Sequence, residues 1–188
     1  MGIGILFWIA FFVWVGSEIG ITIQSKRLRK NVLATKLDKG SSWIIIIGVY
    51  VGVRIAFELH FQKWGRVSQP IADIGAVLML MGVVLRLWSI QVLGRNFSTV
   101  VSVDSNQKII KNGPYKLIRH PAYTGALITL VFIGLALNSW VASCILLFML
   151  LPIYGYRIHV EEKALISHFH SAYEDYRQNT WRIIPYVW

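Results

Sequence analysis

Charged residues and cysteines are both scarce in this chain of 188 residues. Asp, Glu, Lys and Arg together make up 15% of the sequence, whereas about 25% is usual for a soluble domain. Only nine residues are acidic, against nineteen that are basic. The single cysteine, Cys144, excludes an intrachain disulfide and a cysteine-based metal site. Together with a mean hydropathy of +0.55, this composition excludes an ordinary soluble domain and indicates a membrane protein.

The chain contains five long runs of apolar residues. They cover residues 3–23, 43–61, 71–93, 122–137 and 140–156. A run of about 20 apolar residues is the signature of a transmembrane helix, and a single strand cannot satisfy its backbone in lipid. The last two runs are short and flank Asn138-Ser139, a turn sequence, so we expect a tight helical hairpin. The predicted fold class is therefore all-α, an integral membrane helical bundle of five transmembrane helices.

The tail after the last run is predicted to form an amphipathic C-terminal helix. Its apolar residues recur at helical spacing: Leu165, Phe169, Tyr173 and Tyr176. The aromatic end of the chain is expected at the membrane interface. The tail region also contains His159, His168 and His170. Their spacing does not make a tetrahedral set, so we expect no metal.

The basic residues lie in loops beside the apolar runs. Six occupy residues 25–40 against one acid, five occupy the loop after the third run against one acid, and two occupy residues 62–70. The positive-inside rule therefore places the N-terminus outside and the C-terminus in the cytoplasm. The net charge of +10 then reflects topology and contact with membrane lipids, and no nucleic-acid partner is expected.

Five charged residues fall inside the apolar runs, where an unpaired charge is unfavourable, and one of them, Asp73, lies at the start of its run. Arg54 and Glu58 are four residues apart, so they can pair on one helix face, and a structural role is favoured for them. Glu18 lies near the cytoplasmic end of its run and is expected at the interface. Arg86 also lies toward the cytoplasmic end of its run, so its side chain could extend to the interface, or it could line a cavity.

The densest group of polar and aromatic residues lies at 113–125, with the sequence Gly-Pro-Tyr-Lys-Leu-Ile-Arg-His-Pro-Ala-Tyr-Thr-Gly. Pro121 suits the first turn of a helix, and free backbone donors just before it would bind a carboxylate or another anion. Tyr115 and Tyr123 offer aromatic faces, which attract cations. A ligand with an anionic end and a cationic centre would suit this place, and S-adenosylmethionine has a carboxylate and a sulfonium.

The same residues carry a resemblance to a known family. The run Gly-Pro-Tyr-x-x-x-Arg-His-Pro-x-Tyr-x-Gly, then the hairpin, then Arg157-x-x-x-Glu161-Glu162, resembles the isoprenylcysteine carboxyl methyltransferase family. The tail phrase at 161–176 and Arg-Ile-Ile-Pro at 182–185 are also similar to it. The layout resembles the short, five-span microbial members. The resemblance implies an integral membrane enzyme that uses S-adenosylmethionine, in the inner membrane of a bacterium or the endoplasmic reticulum of a eukaryote.

The resemblance also implies residue roles. Three N-terminal transmembrane helices at 1–93 would precede a catalytic region at 94–188 with a cytoplasmic cofactor pocket. Arg157 and Glu161 would be the catalytic residues, with Arg157 binding the acceptor. The implied cofactor-binding residues are Gln107, Lys108, Ile109, Ile110, Tyr115, His120, Pro121, Ala122, Tyr123 and Glu161. From spacing alone, Arg157 and Glu161 could equally be an i,i+4 surface pair.

The expected acceptor is lipophilic, either the carboxylate of an isoprenylcysteine or a similar lipid-like molecule. An ionised carboxylate needs no general base, so the protein has chiefly to position and desolvate it. The sequence does not separate O-, N- and S-methylation. Three alternatives stay open: a phospholipid or amine N-methyltransferase with Glu161, Glu162 or His120 as base, an NADPH-dependent membrane reductase, and a non-catalytic lipid-binding protein.

Overall fold

The fold is a bundle of α-helices in a computed structural model that describes residues 2–28, 40–99 and 108–186. These ranges contain α1 (Ile5–Leu28), α2 (Ser41–Phe61), α3 (Gln69–Leu93), α4 (Pro121–Ala136), α5 (Trp140–Phe169) and α6 (Ser171–Gln178). Short 3-10 turns at Gly94–Asn96 and Gly113–Lys116 lie between α3 and α4. Strand-like pairing within the described ranges is limited to two isolated bridges. The all-α prediction is confirmed.

Four of these helices, α1, α2, α3 and α5, are long and apolar enough to cross a membrane. The membrane class predicted from composition is therefore confirmed. Helix α4 is apolar but has only 16 residues, or about 24 Å at 1.5 Å per residue. This is shorter than a hydrocarbon core of about 30 Å, so the count of five spans stays a prediction.

Asn138 and Ser139 form the turn between α4 and α5, as predicted. Asn138 has φ 60°, a left-handed conformation that Asn adopts more readily than most residues. Ser139 Oγ caps α5 by accepting from the backbone N–H of Ala142 at 3.1 Å, which satisfies one of the free donors at the helix start. The two short apolar runs are therefore neighbouring antiparallel helices.

Helix α5 is longer than the sequence analysis predicted. A span at 140–156 and a separate amphipathic tail helix were expected, but one helix runs for 30 residues. No Gly or Pro interrupts the chain between Arg157 and Phe169, so nothing ends the helix where its apolar part ends. Its length of about 45 Å exceeds a hydrocarbon core of about 30 Å, and the last third carries the polar residues beyond the core. Tyr173 and Tyr176 lie on the separate helix α6, where both are buried.

Glycines allow α3 and α4 to approach closely. A Cβ on Gly82 would lie 2.6 Å from the backbone nitrogen of Thr129, and one on Gly125 would lie 2.6 Å from that of Arg86. Small residues at a crossing are a common way for transmembrane helices to pack without a hydrophobic driving force. This contact positions the first turns of α4, which carry the Arg-His-Pro-x-Tyr run, against the second half of α3.

Helix α2 buries small residues and exposes large ones. Gly48 and Gly52 are buried, whereas Arg54 and Glu58 are exposed. The predicted pair between Arg54 and Glu58 is not among the ion pairs of the described residues. Glu58 accepts instead from Gln62 Nε2 at 2.8 Å, because Gln62 lies one turn further along the same face.

Candidate active site

The residues before α4 are joined to the C-terminal tail by backbone hydrogen bonds. Trp181 N–H donates to Leu117 O at 2.9 Å. Arg119 N–H donates to Trp181 O at 2.7 Å, and His120 N–H donates to Arg182 O at 3.1 Å. The Arg-His-Pro run and the Arg-Ile-Ile-Pro run, which are far apart in the sequence, are therefore direct neighbours.

These bonds show that one expectation about α4 is wrong. The sequence predicted free backbone donors before Pro121 that would bind an anion. The N–H groups of Arg119 and His120 are instead used by the tail, and Tyr123 N–H donates to His120 O at 3.0 Å. A local pattern could not show this, because the acceptors come from the other end of the chain. An anionic ligand group would need other donors.

The hydroxyl of Tyr123 joins two of the predicted site residues. It donates to Glu161 Oε2 at 2.7 Å and accepts from Arg157 Nε at 3.0 Å. The ring of Tyr123 stacks on that of His120, with centroids 5.7 Å apart. Arg157 and Glu161 are one turn apart on α5, so both face the start of α4. The structure brings these four residues together, and we call His120, Tyr123, Arg157 and Glu161 the α4–α5 cluster.

Arg157 is held by groups that the sequence analysis did not identify. It is 2% exposed. Its Nη1 donates to Ser41 Oγ at 2.7 Å and to Ser42 Oγ at 3.1 Å, and its Nη2 donates to Thr99 O at 3.0 Å. The Gly-Ser-Ser sequence before the second apolar run was a visible helix-start signal, but its contact with α5 depends on the tertiary fold. Arg157 therefore links α2, α4 and α5.

Glu162 belongs to a second, buried ionic group, which shares His120 with the α4–α5 cluster. Its Oε1 accepts from Arg119 Nε at 3.0 Å and lies 3.3 Å from His120 Nε2. Its Oε2 accepts from Arg182 Nη2 at 2.9 Å. The Glu162 side chain is 5% exposed, and buried charges are tolerated only when paired in this way. We call Arg119, His120, Glu162 and Arg182 the tail clamp, since it ties the tail to α4 and α5.

Tyr115 is buried beside the last turn of α6. It lies in the turn Gly113–Lys116 and is 5% exposed. Its carbonyl accepts from Tyr176 Oη at 2.7 Å. Burial, with a smaller effect from the carboxylate of Glu161, raises the pKa of the Tyr115 phenol. The phenol is therefore neutral at physiological pH and is not a general base, while its place in a cofactor pocket stays a prediction.

The segment predicted to lie along the cofactor is described only in part. Gln107 lies outside the described residues. Lys108 is exposed, whereas Ile109 and Ile110 are half-buried. The carbonyl of Lys108 is 3.5 Å from Asn96 Nδ2. In the described structure no hydrogen bond or ion pair joins residues 108–110 to the α4–α5 cluster, so their role stays a prediction.

An ion pair between α1 and α3 supports the first turn of α4. Arg86 Nε and Nη2 donate to the two carboxylate oxygens of Glu18 at 2.6 and 3.1 Å, and Arg86 Nη1 donates to Ala122 O at 3.1 Å. The sequence analysis expected Glu18 at the interface and Arg86 either snorkelling or lining a cavity. Pairing across helices instead compensates both charges. The pair holds Ala122, and with it the neighbouring Pro121, which are both buried.

Two cavities lie away from the α4–α5 cluster. One of about 480 Å³ lies between the start of α1, the end of α2 and the hairpin turn. A second, of about 320 Å³, follows α1 beside Trp14 and Glu18. Neither is lined by residues of the cluster, and the cytoplasmic cofactor pocket stays a prediction.

Glu161 has the capacity to bind a ligand. Its Oε2 accepts from Tyr123, while its Oε1 has no hydrogen bond within the described structure, and the residue is half-buried. Carboxylate oxygens accept from hydroxyl and amino groups, and the rings of Tyr123 and His120 provide aromatic surface beside them. These residues fit a ligand that combines such donors with a cationic centre, as S-adenosylmethionine does.

Comparison with known proteins agrees with this arrangement. A sequence profile of the isoprenylcysteine carboxyl methyltransferase (ICMT) family matches residues 75–167. A probable protein-S-isoprenylcysteine O-methyltransferase of Oryza sativa subsp. indica is 27% identical, covering 97% of this chain and 95% of its own length. The protein-S-isoprenylcysteine O-methyltransferase of Saccharomyces cerevisiae is 26% identical, covering 97% and 79%. The uncharacterized protein YpbQ of Bacillus subtilis is 30% identical, covering 85% and 96%.

A solved structure of the eukaryotic intramembrane Ras methyltransferase ICMT is also similar, with a TM-score of 0.63 and 25% identity over 79% of this chain. The match covers 53% of that protein, so this chain spans about half of its length. Sequence and fold together define the class as an integral membrane methyltransferase. The chain belongs to the isoprenylcysteine carboxyl methyltransferase family, which confirms the resemblance found in the sequence.

Proposed function

We propose that this chain transfers a methyl group from S-adenosylmethionine to the carboxylate of an isoprenylcysteine or a similar lipid-like molecule. The observation that carries the proposal is the Tyr123 hydroxyl, bound at once to Arg157 and Glu161. It connects the Arg-His-Pro-x-Tyr run of α4 with the Arg-x-x-x-Glu-Glu run of α5, both within the range that matches the family. The acceptor class follows from the relatives named as protein-S-isoprenylcysteine O-methyltransferases.

The cofactor is proposed to bind against the α4–α5 cluster. S-adenosylmethionine supplies an electrophilic methyl group attached to a sulfonium. Glu161 Oε1 would accept from its hydroxyl or amino groups, and the rings of Tyr123 and His120 would favour its cationic centre. The remaining residues proposed to complete the pocket are Gln107, Lys108, Ile109, Ile110, Tyr115, Pro121 and Ala122.

Arg157 is proposed to orient the acceptor. A guanidinium fork matches a planar carboxylate, and such a carboxylate is ionised at neutral pH and needs no general base. Arg157 Nη1 is already bound to the hydroxyls of Ser41 and Ser42. Since a neutral hydroxyl binds a guanidinium less strongly than a carboxylate does, the acceptor would replace one of these serines on Nη1.

The membrane placement fits two different entry routes. The charge of the loops predicts a cytoplasmic C-terminus, which puts the α4–α5 cluster on the cytoplasmic side. The polar cofactor would then enter from the cytoplasm, and the lipid-like acceptor would enter laterally between helices. From the family resemblance, the proposed location is the inner membrane if the source is a bacterium, or the endoplasmic reticulum if it is a eukaryote.

Cofactor binding is the first test. The purified chain in lipid nanodiscs is titrated with S-adenosylmethionine in a calorimeter, with NADPH added as a competitor. We expect saturable binding that NADPH does not displace. Displacement by NADPH would support the reductase alternative instead, and binding of neither compound would support a non-catalytic lipid-binding protein.

Methyl transfer is the second test. Radiolabelled S-adenosylmethionine is offered with S-farnesylcysteine, with its methyl ester as the matched compound lacking a carboxylate, and with phosphatidylethanolamine. We expect label only on the free carboxylate, lost in Arg157→Ala and retained in the neighbouring exposed-residue control His159→Ala. Label on the amine lipid alone would reassign the chain to N-methylation.

A further inference from the structure

A cavity lies at the end of the bundle opposite the α4–α5 cluster, between the start of α1, the end of α2 and the hairpin turn. Its volume is about 480 Å³, and its lining includes Ile3, Trp8, Leu59, Lys63, Arg66 and Asn138. Asn138 lies two residues before the start of α5, whereas Arg157 lies about 25 Å along that helix from its start at 1.5 Å per residue. The cavity is therefore separate from the proposed active site.

Two cations of this cavity have no side-chain partner among the described residues. The side chains of Lys63 and Arg66 are exposed, and neither makes a hydrogen bond or an ion pair within the described structure. The nearest acids in the sequence are engaged elsewhere, since Glu58 accepts from Gln62 and Asp73 accepts from a glutamine. Unpaired positive charges in a cavity raise the local concentration of anions.

A residue that lines the same cavity also has an unsatisfied buried acceptor. Asn138 is 6% exposed, and its Oδ1 has no hydrogen-bond partner among the described residues. Its Nδ2 points to Gln69 Oε1 at 3.4 Å. This assignment of the amide is supported by Gln69 Nε2, which already donates to Asp73 Oδ1 at 2.9 Å. A ligand that supplies a hydroxyl or ammonium donor would satisfy Asn138 Oδ1.

The apolar walls of the cavity indicate a ligand from the bilayer. Ile3 and Leu59 contribute aliphatic surface, and Phe61 is 68% exposed at the edge. Trp64 and Trp140 flank this end of the bundle with exposures of 60% and 55%. Exposed tryptophans of membrane proteins concentrate at the headgroup level, so the free cations lie where lipid phosphates lie.

We propose that this cavity binds the headgroup of a membrane phospholipid that carries both a phosphate and a hydroxyl or ammonium donor. Lys63 and Arg66 hold the phosphate, Asn138 Oδ1 accepts from the donor, and Phe61 contacts the first methylene groups. By the charge rule this lipid lies in the leaflet opposite the cytoplasm. It ties the loop after α2 to α1 and to the hairpin turn, independently of methyl transfer.

The test is native mass spectrometry of the full chain titrated with phosphatidylglycerol. In Lys63→Asn/Arg66→Gln the affinity should fall about 25-fold, since each basic residue contributes about 1 kcal/mol near anionic lipid and 1.4 kcal/mol is a factor of ten. Asn is chosen at position 63 because Lys63 has φ 62°, which Asn tolerates. The control Lys116→Gln/Lys163→Gln removes the same amount of charge at the opposite end of the bundle. It should bind phosphatidylglycerol as strongly as the unmodified chain does.

Further binding measurements distinguish a lipid headgroup from a free phosphate compound as the ligand. Phosphatidylcholine lacks the donor and should bind more weakly than phosphatidylethanolamine, which has the same net charge, and Asn138→Gly, which keeps the left-handed turn, should abolish that preference. Glycerol 3-phosphate should not compete at equal concentration. Equal competition by it, undiminished affinity in the double variant, or the same loss in the control would each overturn the proposal. Arg66→Gln alone, which leaves the turn unchanged, should weaken binding about fivefold.

Discussion

Glu161 and Glu162 are consecutive in the sequence and have opposite environments. Glu162 is 4% exposed and contacts three cationic or titratable side chains, those of Arg119, His120 and Arg182. Glu161 is half-buried and accepts a single hydrogen bond, from Tyr123. Consecutive residues of a helix point about 100° apart, so one carboxylate enters the tail clamp and the other enters the α4–α5 cluster.

The number of partners distinguishes a structural carboxylate from one that is able to bind a ligand. The buried oxygens of Glu162 are fully engaged, and removing one partner from such a group is strongly destabilising. In the part of the chain that the structure describes, Glu161 has one oxygen without a partner, and removal of its side chain leaves fewer groups unsatisfied. The Glu-Glu pair in the sequence therefore combines two different roles.

The largest effect is expected for Glu162→Ala. It removes the carboxylate that Arg119 and Arg182 share, and the free energy of unfolding should fall by about 3–5 kcal/mol, because removing one member of a buried ionic group is strongly destabilising. Chemical unfolding in detergent, followed by circular dichroism, measures this change. The control Glu174→Ala removes an exposed carboxylate of α6 and should change stability by less than about 0.5 kcal/mol. Equal stability of the two variants would contradict the tail clamp.

The next largest effect is expected for Glu161→Gln, and it concerns binding rather than stability. A hydrogen bond to a charged group contributes about 1.5–3 kcal/mol, so the Kd for S-adenosylmethionine should rise about 10- to 100-fold. Unfolding should be nearly unchanged, because Gln can still accept from Tyr123. Calorimetric titration measures the Kd, with Glu174→Gln as control. Unchanged affinity would remove Glu161 from the site.

A smaller effect is expected for Tyr123→Phe, which removes the hydroxyl shared by Arg157 and Glu161. The value of kcat/KM should fall about tenfold, since two side chains each lose one hydrogen bond. Residues in one hydrogen-bond network do not behave additively. The double variant with Glu161→Gln should therefore lose less than the product of the two single effects, and strict additivity would show that the hydroxyl and the carboxylate act separately.

The smallest effect is expected for Ser42→Ala. Its hydroxyl is one of two that Arg157 Nη1 binds, and an acceptor carboxylate is proposed to replace one of them. With less competition, the KM for the acceptor should fall about twofold, in line with about 0.5 kcal/mol for a weak hydrogen bond. Steady-state kinetics with S-farnesylcysteine measures this. A rise in KM would mean that Ser42 positions Arg157 and is not displaced.

Much of the fold could be predicted because the membrane imposes it. The apolar runs correspond to α1, α2, α3, α4 and α5, since backbone groups in lipid have to be satisfied within a helix. The end of α5 was predicted wrongly. Amphipathic and apolar segments were treated as different helices, but without Gly or Pro after Arg157 one helix continues from the membrane into the polar region.

The candidate site could be predicted in part because its motifs are local. Tyr123, Arg157 and Glu161 were identified from spacing and resemblance, and they are in contact. Their partners were missed. Ser41 and Ser42 contact Arg157 across more than 100 residues of sequence, and no spacing rule predicts such a contact. The pair of Glu18 and Arg86 was missed for the same reason, since each lies in a different apolar run.

From the sequence alone, hydropathy predicts a helical membrane protein, and the short motifs resemble those of a methyltransferase family, because both signals are local and need no knowledge of packing. Which charges are partners follows from the tertiary structure and not from the sequence. The tertiary structure puts Glu162 beside the cations of the tail. It also pairs the backbone just before α4 with residues 181–182 by hydrogen bonds. Among the described residues, it leaves polar groups without a partner at Glu161 and in the cavity at Lys63 and Arg66. The physical reason is that pairing of buried charges depends on distances between helices, which are set by side-chain packing across the whole bundle.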